Sequence, residues 1–321
     1  MPESHWIEVE DYRSPQGWTH PDQGSARARD YCAALERGGI LFFPRPPFDF
    51  PEADGEFLLS QHWAELRMHK NVSYRPADGL LRGVSGNSAT TDRIHSALRT
   101  YSTQVIEFAS KFLSPYANRW ILDFASFRPF EEDGRDLPLH KRNDLLHVDA
   151  FPSRPTRGGR ILRVFTNLNP AKPRVWQTTG PFESFARQFA EDAGLRRIAE
   201  NDSVLTRLVQ DWGRKLGVRG MGRTPYDVFM LRFHDFLKEN SRFQAGCPKD
   251  RLEFPPRATW MVFTDGVAHA VLSGQYALEQ TFLIPASALV APEQAPYRIL
   301  ENIAGRSLVH SCKKRGYLPG E

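Results

Sequence analysis

The sequence predicts an α+β protein: a helical front leading into a mostly antiparallel β core that is itself interrupted by helices. Three observations carry that reading. Residues Thr91–Ser114 repeat apolar side chains (Ile94, Leu98, Tyr101, Val105, Phe108, Phe112) at helical spacing. Beyond them the period changes to two in Trp120–Arg128, Arg160–Asn167, Trp260–Thr264, Ala268–Leu272 and Ala277–Ile284. Between the second and third of these segments, residues 181–242 return to helical patterns. No linker is long or biased enough to divide the 321 residues, so one domain is expected. Its parts are an arm (1–26), a helical front (27–118), a β core (119–285) carrying the insert 181–242, and a tail (286–321).

The arm holds Ser-Pro, Pro-Asp and Gly-Ser turn signals and reads as loosely held. Arg27–Arg37 suits a short helix ended by Gly38-Gly39, and Ile40-Leu41-Phe42-Phe43 a buried strand stopped by Pro44. Within 51–87, Tyr74-Arg75-Pro76 and Gly79 mark loop. The insert resolves into helices at Phe182–Ala193, Val204–Leu216 and Tyr226–Asn240, the last two separated by the Gly-rich stretch Gly217–Gly222. From Pro292 a short helix and an irregular end follow.

Composition narrows the function. With 40% hydrophobic and 25% charged residues the chain is neither disordered nor collagen-like. No apolar run reaches the roughly 18–20 residues of a membrane-spanning helix. Met1-Pro2-Glu3-Ser4-His5-Trp6 lacks the basic start and apolar core of a secretory signal, so a cytoplasmic location is expected. Cys32, Cys247 and Cys312 lie too far apart for a disulfide framework and form no CxxC pair. Lys and Arg (42) barely exceed Asp and Glu (38). That excess does not argue for a nucleic-acid partner, but it suits an anionic substrate or membrane face.

Leu145-Leu146-His147-Val148-Asp149-Ala150-Phe151 places an HxD pair in an alternating segment. On a strand, residues i and i+2 share a face, so His147 and Asp149 can reach one metal. An isolated HxD is equally a histidine beside a surface carboxylate. The downstream strand–turn–strand pattern Trp260–Val271, with His269 entering its second strand, changes that balance. Two histidines and a carboxylate from a β core are the facial triad of non-heme Fe(II) oxygenases, which leaves positions open for co-substrate and oxygen. His234 is a rival third ligand, set in an aromatic-rich helical pattern; His140 is out of register with the HxD face. Trp120, Trp176, Trp212 and Trp260 read most simply as core.

The segment Gly159–Asn169 resembles the third long strand of iron- and 2-oxoglutarate-dependent dioxygenases, with Arg163 and Asn167 falling in its pocket-facing set. A guanidinium buried beside a metal needs a carboxylate partner, and the distal carboxylate of 2-oxoglutarate is one. Many members carry the anchoring Arg on the last barrel strand. Here Glu279 and Gln280 occupy that region and no Arg or Lys lies between His269 and Pro285, which points to Arg163, with Arg160 in reserve.

More narrowly, the chain resembles the Kdo (3-deoxy-D-manno-oct-2-ulosonic acid) 3-hydroxylase family. The matching stretches are Ser73–Gly79, Ala125–Pro129, Arg142–Pro155 through Asn169-Pro170, His269–Gly274 and Leu278–Phe282. The resemblance implies a double-stranded β-helix (jelly-roll) core and Fe(II) held by His147, Asp149 and His269. It implies 2-oxoglutarate and O2 as co-substrates, and 3-hydroxylation of the Kdo sugar of lipopolysaccharide or lipid A with release of succinate and CO2. The acceptor is anionic, so Arg75, Arg128 and Arg142 are expected to bind it, among further candidates Lys70, Arg82 and Lys141. The glycolipid would bring the protein into peripheral contact with the cytoplasmic face of the inner membrane, with no transmembrane segment. Alternatives are the same chemistry on a protein side chain or small acid, or a non-catalytic jelly-roll module binding metal or sugar. A closed zinc site lacks a fourth placed ligand. A hydrolase lacks HExxH, GxSxG or a Cys/His nucleophile motif.

Overall fold

An apolar helix stripe and a one-sided sheet each need a surface to cover them, and this chain meets that need with four layers. The computed structural model describes residues 6–10, 21–65, 71–85, 88–201 and 222–309. The front comprises β1 (Trp6–Glu8), α1 (Pro21–Glu36), β2 (Ile40–Phe43), α2 (Glu52–Ser60), β3 (Val72–Arg75), β4 (Leu80–Arg82) and α3 (Ser88–Phe112). The core continues with β5 (Ile121–Arg128), β6 (Arg160–Asn167) and β7 (Arg174–Pro181). The helices α4 (Phe182–Phe189), α5 (Leu195–Glu200), α6 (Pro225–Glu239) and α7 (Ser241–Gly246) follow. Strands β8 (Asp250–Phe254), β9 (Thr259–Phe263), β10 (Val267–Ser273) and β11 (Ala277–Ile284) complete the core before α8 (Pro296–Ala304).

The major sheet has the order β1-β2-β9-β6-β11-β5-β3-β4 and the minor sheet β10-β7-β8. All pairings are antiparallel except β1 with β2. The segment around His147 bridges antiparallel onto β10 and adds to the minor sheet. Strand alternation then sorts the side chains into three cores. On β6, Leu162 and Val164 face outward into a cluster with Ile94, Leu98 and Val105 of α3. Phe165 faces inward and packs with Trp176 and Trp260 between the sheets, at ring distances of 5.0 and 5.2 Å. On the far side Val148, Ala268 and Ala270 meet Phe185 of α4 and Phe229 and Phe233 of α6. The α6 start is secured by a capping box between Thr224 and Asp227.

Several elements differ from expectation. Part of the arm, β1, pairs with β2 and belongs to the sheet, and α1 begins at Pro21 rather than Arg27. Tyr74-Arg75 is strand, not loop: β3 and β4 form a hairpin whose turn is carried by Gly79 at φ +68°. The front is therefore not purely helical. Strands β7 and β8 were not anticipated. In β7 the buried residues include Arg174, Thr178 and Thr179, which erases the apolar–polar alternation, and β8 is a mostly exposed edge. The expected helix Val204–Leu216, with Trp212, lies outside the described residues, as does Cys312. Among the described residues no helix is long and apolar enough to cross a membrane.

The front is tied to the tail through Glu36. Its buried carboxylate accepts hydrogen bonds from Tyr116 Oη (2.6 Å), Val290 N (2.8 Å) and Ala291 N (2.7 Å). Replacement of Glu36 by Ala strands those donors, and each unmet buried donor costs roughly 1–3 kcal/mol. Glu36→Ala is expected to lose about 3 kcal/mol of stability, read as a lower urea midpoint at unchanged m value.

Candidate metal centre and its cavity

His147 N donates to His269 O (3.1 Å), and His269 N donates back to His147 O (2.9 Å). A pair that exchanges both hydrogen bonds sets its two side chains on one face of a sheet. Here that is the inner face, and the imidazole centroids lie 4.7 Å apart. Asp149 keeps the face of His147, while its amide leaves the ladder to donate to Thr264 O (2.8 Å). The ligand atoms offered by His147, Asp149 and His269 all lie within 4.8 Å of one another.

Backbone carbonyls two residues upstream orient both rings: Leu145 O holds His147 Nδ1 (2.7 Å) and Val267 O holds His269 Nδ1 (2.9 Å). A carbonyl only accepts, so each Nδ1 carries the proton and each Nε2 keeps its lone pair for a metal. The indole of Trp176 stacks on the His269 ring at 5.0 Å and 20°. Burial holds both imidazoles below their ordinary 6.5, so both are neutral and ready to ligate. Burial alone would raise the Asp149 carboxyl, but the Arg163 guanidinium pulls it well below the carboxylate range. Two neutral imidazoles and one carboxylate are the donor set of a non-heme Fe(II) site with open positions. Among the described residues no fourth His, Cys or carboxylate joins the cluster, as a closed zinc site requires. His234, the rival ligand, instead sets its Nδ1 against Val148 O (2.7 Å), with its ring 5.0 Å from His147. His140 is exposed between Asp235 and Glu239.

A cavity opens beside the triad, lined by Arg128, Asn143, Arg163, Phe165, Arg174 and Trp176. Arg163 Nε lies 2.9 Å from Asp149 Oδ2, and Arg163 Nη1 donates to Glu279 Oε1 (2.6 Å). The other oxygen of Glu279 accepts from Arg128 Nε (2.8 Å). Arg174 Nη1 donates to Gly274 O (3.0 Å), and its Nη2 is 3.5 Å from Glu132. Gly274 has φ +128°, and a Cβ there would sit 2.9 Å from Arg174 Cα, so only glycine permits the approach. Burial, only partly offset by Glu132, pulls the Arg174 guanidinium down to about 10. Two cavity-lining residues hold buried N–H groups with no hydrogen-bond acceptor, Arg174 Nε and Trp176 Nε1, while Arg163 Nε faces Asp149. Unmet buried donors beside a metal site fit an occupant rich in acceptors, such as a dicarboxylate.

Arg163, expected to anchor 2-oxoglutarate, and Arg128, expected to bind the acceptor, both line this cavity. Arg160, Asn167, Arg75 and Arg142 do not line it. Arg160 falls on the opposite face of β6, where its Nε donates to Asp265 Oδ2 (2.7 Å) and its guanidinium lies over Phe263. Asn167 shares the face of Arg163 but sits at the far end of β6. Its amide clamps the carbonyls of Lys172, Phe254 and Pro255. Arg75 and Arg142 form partly exposed ion pairs with Asp78 (3.0 Å) and Asp144 (2.5 Å), outside the cavity. Lys70 lies outside the described residues. Sequence reasoning missed Arg174, Trp176 and Asn143; the first two ride on the unrecognised β7. A buried-strand glutamate at 279 was the available signal, because it demands cations around it.

The sequence profile of the 3-deoxy-D-manno-oct-2-ulosonic acid (Kdo) hydroxylases matches residues 19–307. The chain belongs to the Kdo hydroxylase family. Among solved structures, the Kdo hydroxylase KdoO is described as a non-heme Fe(II) alphaketoglutarate-dependent dioxygenase. In its complex with alphaketoglutarate and Fe(III) it matches at TM-score 0.79 and 32% identity, over 95% of this chain and 97% of that one. Its cobalt(II) complex matches at TM-score 0.80 and 33% identity, over 95% and 98%. No curated protein matches the chain. The likeness assigns the two-sheet core of this Kdo hydroxylase family member to the double-stranded β-helix, or jelly-roll, class.

Burial lowers the imidazoles of His147, His269 and His234 in the folded chain, so the unfolded chain takes up protons first as pH falls. Stability of the metal-free protein is therefore complete above the ordinary imidazole range and declines through it. Thermal unfolding should show a midpoint that drops between about pH 7.5 and 5.5, with a shallower drop in His269→Asn. A flat profile would contradict buried neutral imidazoles.

Proposed function

We propose that this chain is an Fe(II)- and 2-oxoglutarate-dependent hydroxylase that adds a 3-hydroxyl to the Kdo sugar of lipopolysaccharide or lipid A. One observation carries the reading: two Nε2 lone pairs and one carboxylate converge beside a cavity whose buried guanidinium and indole N–H groups lack acceptors. Membership in the Kdo hydroxylase family and the likeness to KdoO support both the chemistry and the sugar. His147, Asp149 and His269 would hold Fe(II); Arg163 and Arg174, with Trp176 Nε1, would hold 2-oxoglutarate.

When bound, iron and 2-oxoglutarate supply oxygen activation: a C–H bond and O2 become C–OH, while the co-substrate becomes succinate and CO2. The chain's own residues do the rest. Leu145 O and Val267 O fix the imidazole tautomers, and Trp176 fixes one ring plane. Glu279 binds Arg163 and Arg128 at once and so holds two cations in a space that would otherwise expel them. In the metal-free chain Arg163 also neutralises Asp149. Phe165 and Trp176 keep water from the inner end of the cavity. A cytoplasmic protein meeting the inner membrane peripherally suits a glycolipid acceptor and the absence of a spanning helix among the described residues.

Incubation with Kdo-bearing lipid A, Fe(II), 2-oxoglutarate and O2 should add one oxygen to the sugar, seen by mass spectrometry, with matching succinate. Succinate without that mass gain would reassign the substrate. Anaerobic Fe(II) with 2-oxoglutarate should give a weak visible charge-transfer band that His147→Ala and His269→Ala abolish.

The two arginines should separate. Arg174 touches no ligand residue, so Arg174→Ala is expected to raise the 2-oxoglutarate KM by roughly tenfold or more at nearly unchanged iron affinity. Arg163 pairs with Asp149 and would compete with iron for it, so Arg163→Ala should weaken co-substrate binding while strengthening, rather than weakening, iron binding. Equal effects of both variants on iron affinity would remove the distinction.

A further inference from the structure

The sheet face that lines the metal cavity continues beyond the two-sheet core. In the major sheet Phe165 of β6 lies opposite Glu279 of β11, Glu279 opposite Ser126 of β5, Ser126 opposite Ser73 of β3, and Ser73 opposite Arg82 of β4. Residues directly opposite across a ladder share a face, so these five side chains form one row across five strands. At about 4.8 Å per strand the row runs roughly 19 Å from the cavity wall to Arg82. The row is polar throughout its middle, where Ser73 Oγ and Ser126 Oγ are 2.8 Å apart. The opposite face of the same strands is apolar and covered: Val72, Tyr74, Ala125 and Phe127 lie in the core with α3.

Basic and aromatic groups flank this row. Three residues of β5 are spanned by two of β11, since Ala125 faces Gln280 and Leu122 faces Phe282. The extra residue is a β-bulge at Asp123-Phe124, and it lets both side chains address this face. Phe124 carries the guanidinium of Arg82 at 5.6 Å and that of Arg154 at 5.0 Å. Arg154 reaches over from the loop that follows the HxD pair, pairs with Asp123 and also covers Phe151. Arg75 sits two residues from Ser73 on the same face. Arg82 is exposed, and among the described residues no carboxylate pairs with it. Beyond Arg75 and Phe124 lie two exposed apolar side chains, Leu80 (52%) and Ile121 (64%).

We propose that this row is the acceptor groove, in which Arg82 and Arg75, backed by Arg154, bind oxyanions carried by the glycolipid while Leu80 and Ile121 meet its lipid side. The proposal rests on the Kdo hydroxylase reading and deepens it. Its support is continuity with the metal cavity, an arginine without an acidic partner, and charge complementary to a sugar acid on a phosphorylated lipid. Carboxylate and phosphate offer the same chemistry to these guanidiniums.

The test is equilibrium binding of Kdo-bearing lipid A micelles to the full metal-free chain, so that turnover is not involved. Arg82→Gln should weaken binding roughly tenfold, and Arg75→Gln/Arg82→Gln roughly a hundredfold. Lys111→Gln, on the exposed side of α3, should bind as wild type. Persistence of the loss with dephosphorylated lipid A would identify the sugar carboxylate as the oxyanion; its disappearance would identify the phosphate; both support the groove. Wild-type affinity in the double variant would overturn it. So would an equal loss on Kdo-free phosphatidylglycerol vesicles, which would make the row a general membrane contact. Failure of wild-type protein to add oxygen to the sugar is read separately and bears on the catalytic assignment instead.

Discussion

The two backbone hydrogen bonds exchanged by His147 and His269 are the constraint on which the site depends. The residues are 122 positions apart (269 − 147), yet a single narrow antiparallel pair brings them to one face with their rings in contact distance. Everything in the insert serves that pairing from outside. Val148 and Ala268, which alternate with the ligands, are gripped by the aromatic residues of α4 and α6. His234 of α6 then holds the carbonyl of Val148, the peptide between the two ligands of the HxD pair. Backbone pairing sets the geometry, and helix packing keeps it.

Charge is the second constraint. Arg128, Arg163 and Arg174 stand in a largely buried region against Asp149, Glu279 and Glu132. Each cation there would be costly alone, and each is matched by an anion. Glu279 spans two of them and is held below its ordinary value, because Arg128 and Arg163 overcome the effect of its burial. Such balance is compatible with a metal and a dianion entering together, since the pair adds no net charge. Iron would compete with Arg163 for Asp149, whereas a dicarboxylate would satisfy the free N–H groups of Arg174 and Trp176 and take up the N–H that Arg163 releases. The two ligands would thus be coupled through one guanidinium.

Legibility in the sequence followed how local each signal is. The triad was readable because HxD is a two-residue period and His269 stands at the start of an apolar strand. The long helix and strands β5, β6, β9, β10 and β11 were readable for the same reason: one face of each is apolar and buried. Strand β7 was not, because its buried face carries Arg174 and Thr178, which a periodicity argument scores as solvent-facing. The assignment of Arg160 failed on parity, since β6 is buried on both faces and its alternation says nothing about which face is inside. Asn167 failed on length: it shares the right face but lies beyond the cavity, where loop carbonyls claim its amide. Tyr74-Arg75 read as loop because Pro76 and Gly79 dominate a short hairpin whose strands are only three or four residues long.

That hairpin also explains why a metal triad alone does not define an acceptor. The triad and its arginines occupy β5, β6, β7, β10 and the HxD segment, with Glu279 of β11 between two of the arginines, the part of the fold that iron and co-substrate would require. Strands β3 and β4 lie outside that set and come from the front of the chain, yet β3 is hydrogen-bonded to β5 and β4 to β3, which locks both into the same sheet and register. A side chain on β4 is therefore held in register with those on β6 through the intervening strands. Changing Arg75 or Arg82 alters what the groove can bind without disturbing Asp149 or the imidazoles, because α3 secures the opposite face of the hairpin independently. Chemistry and recognition share one sheet while resting on separate side chains, so the acceptor can be specified at its edge without loss of geometry at its centre.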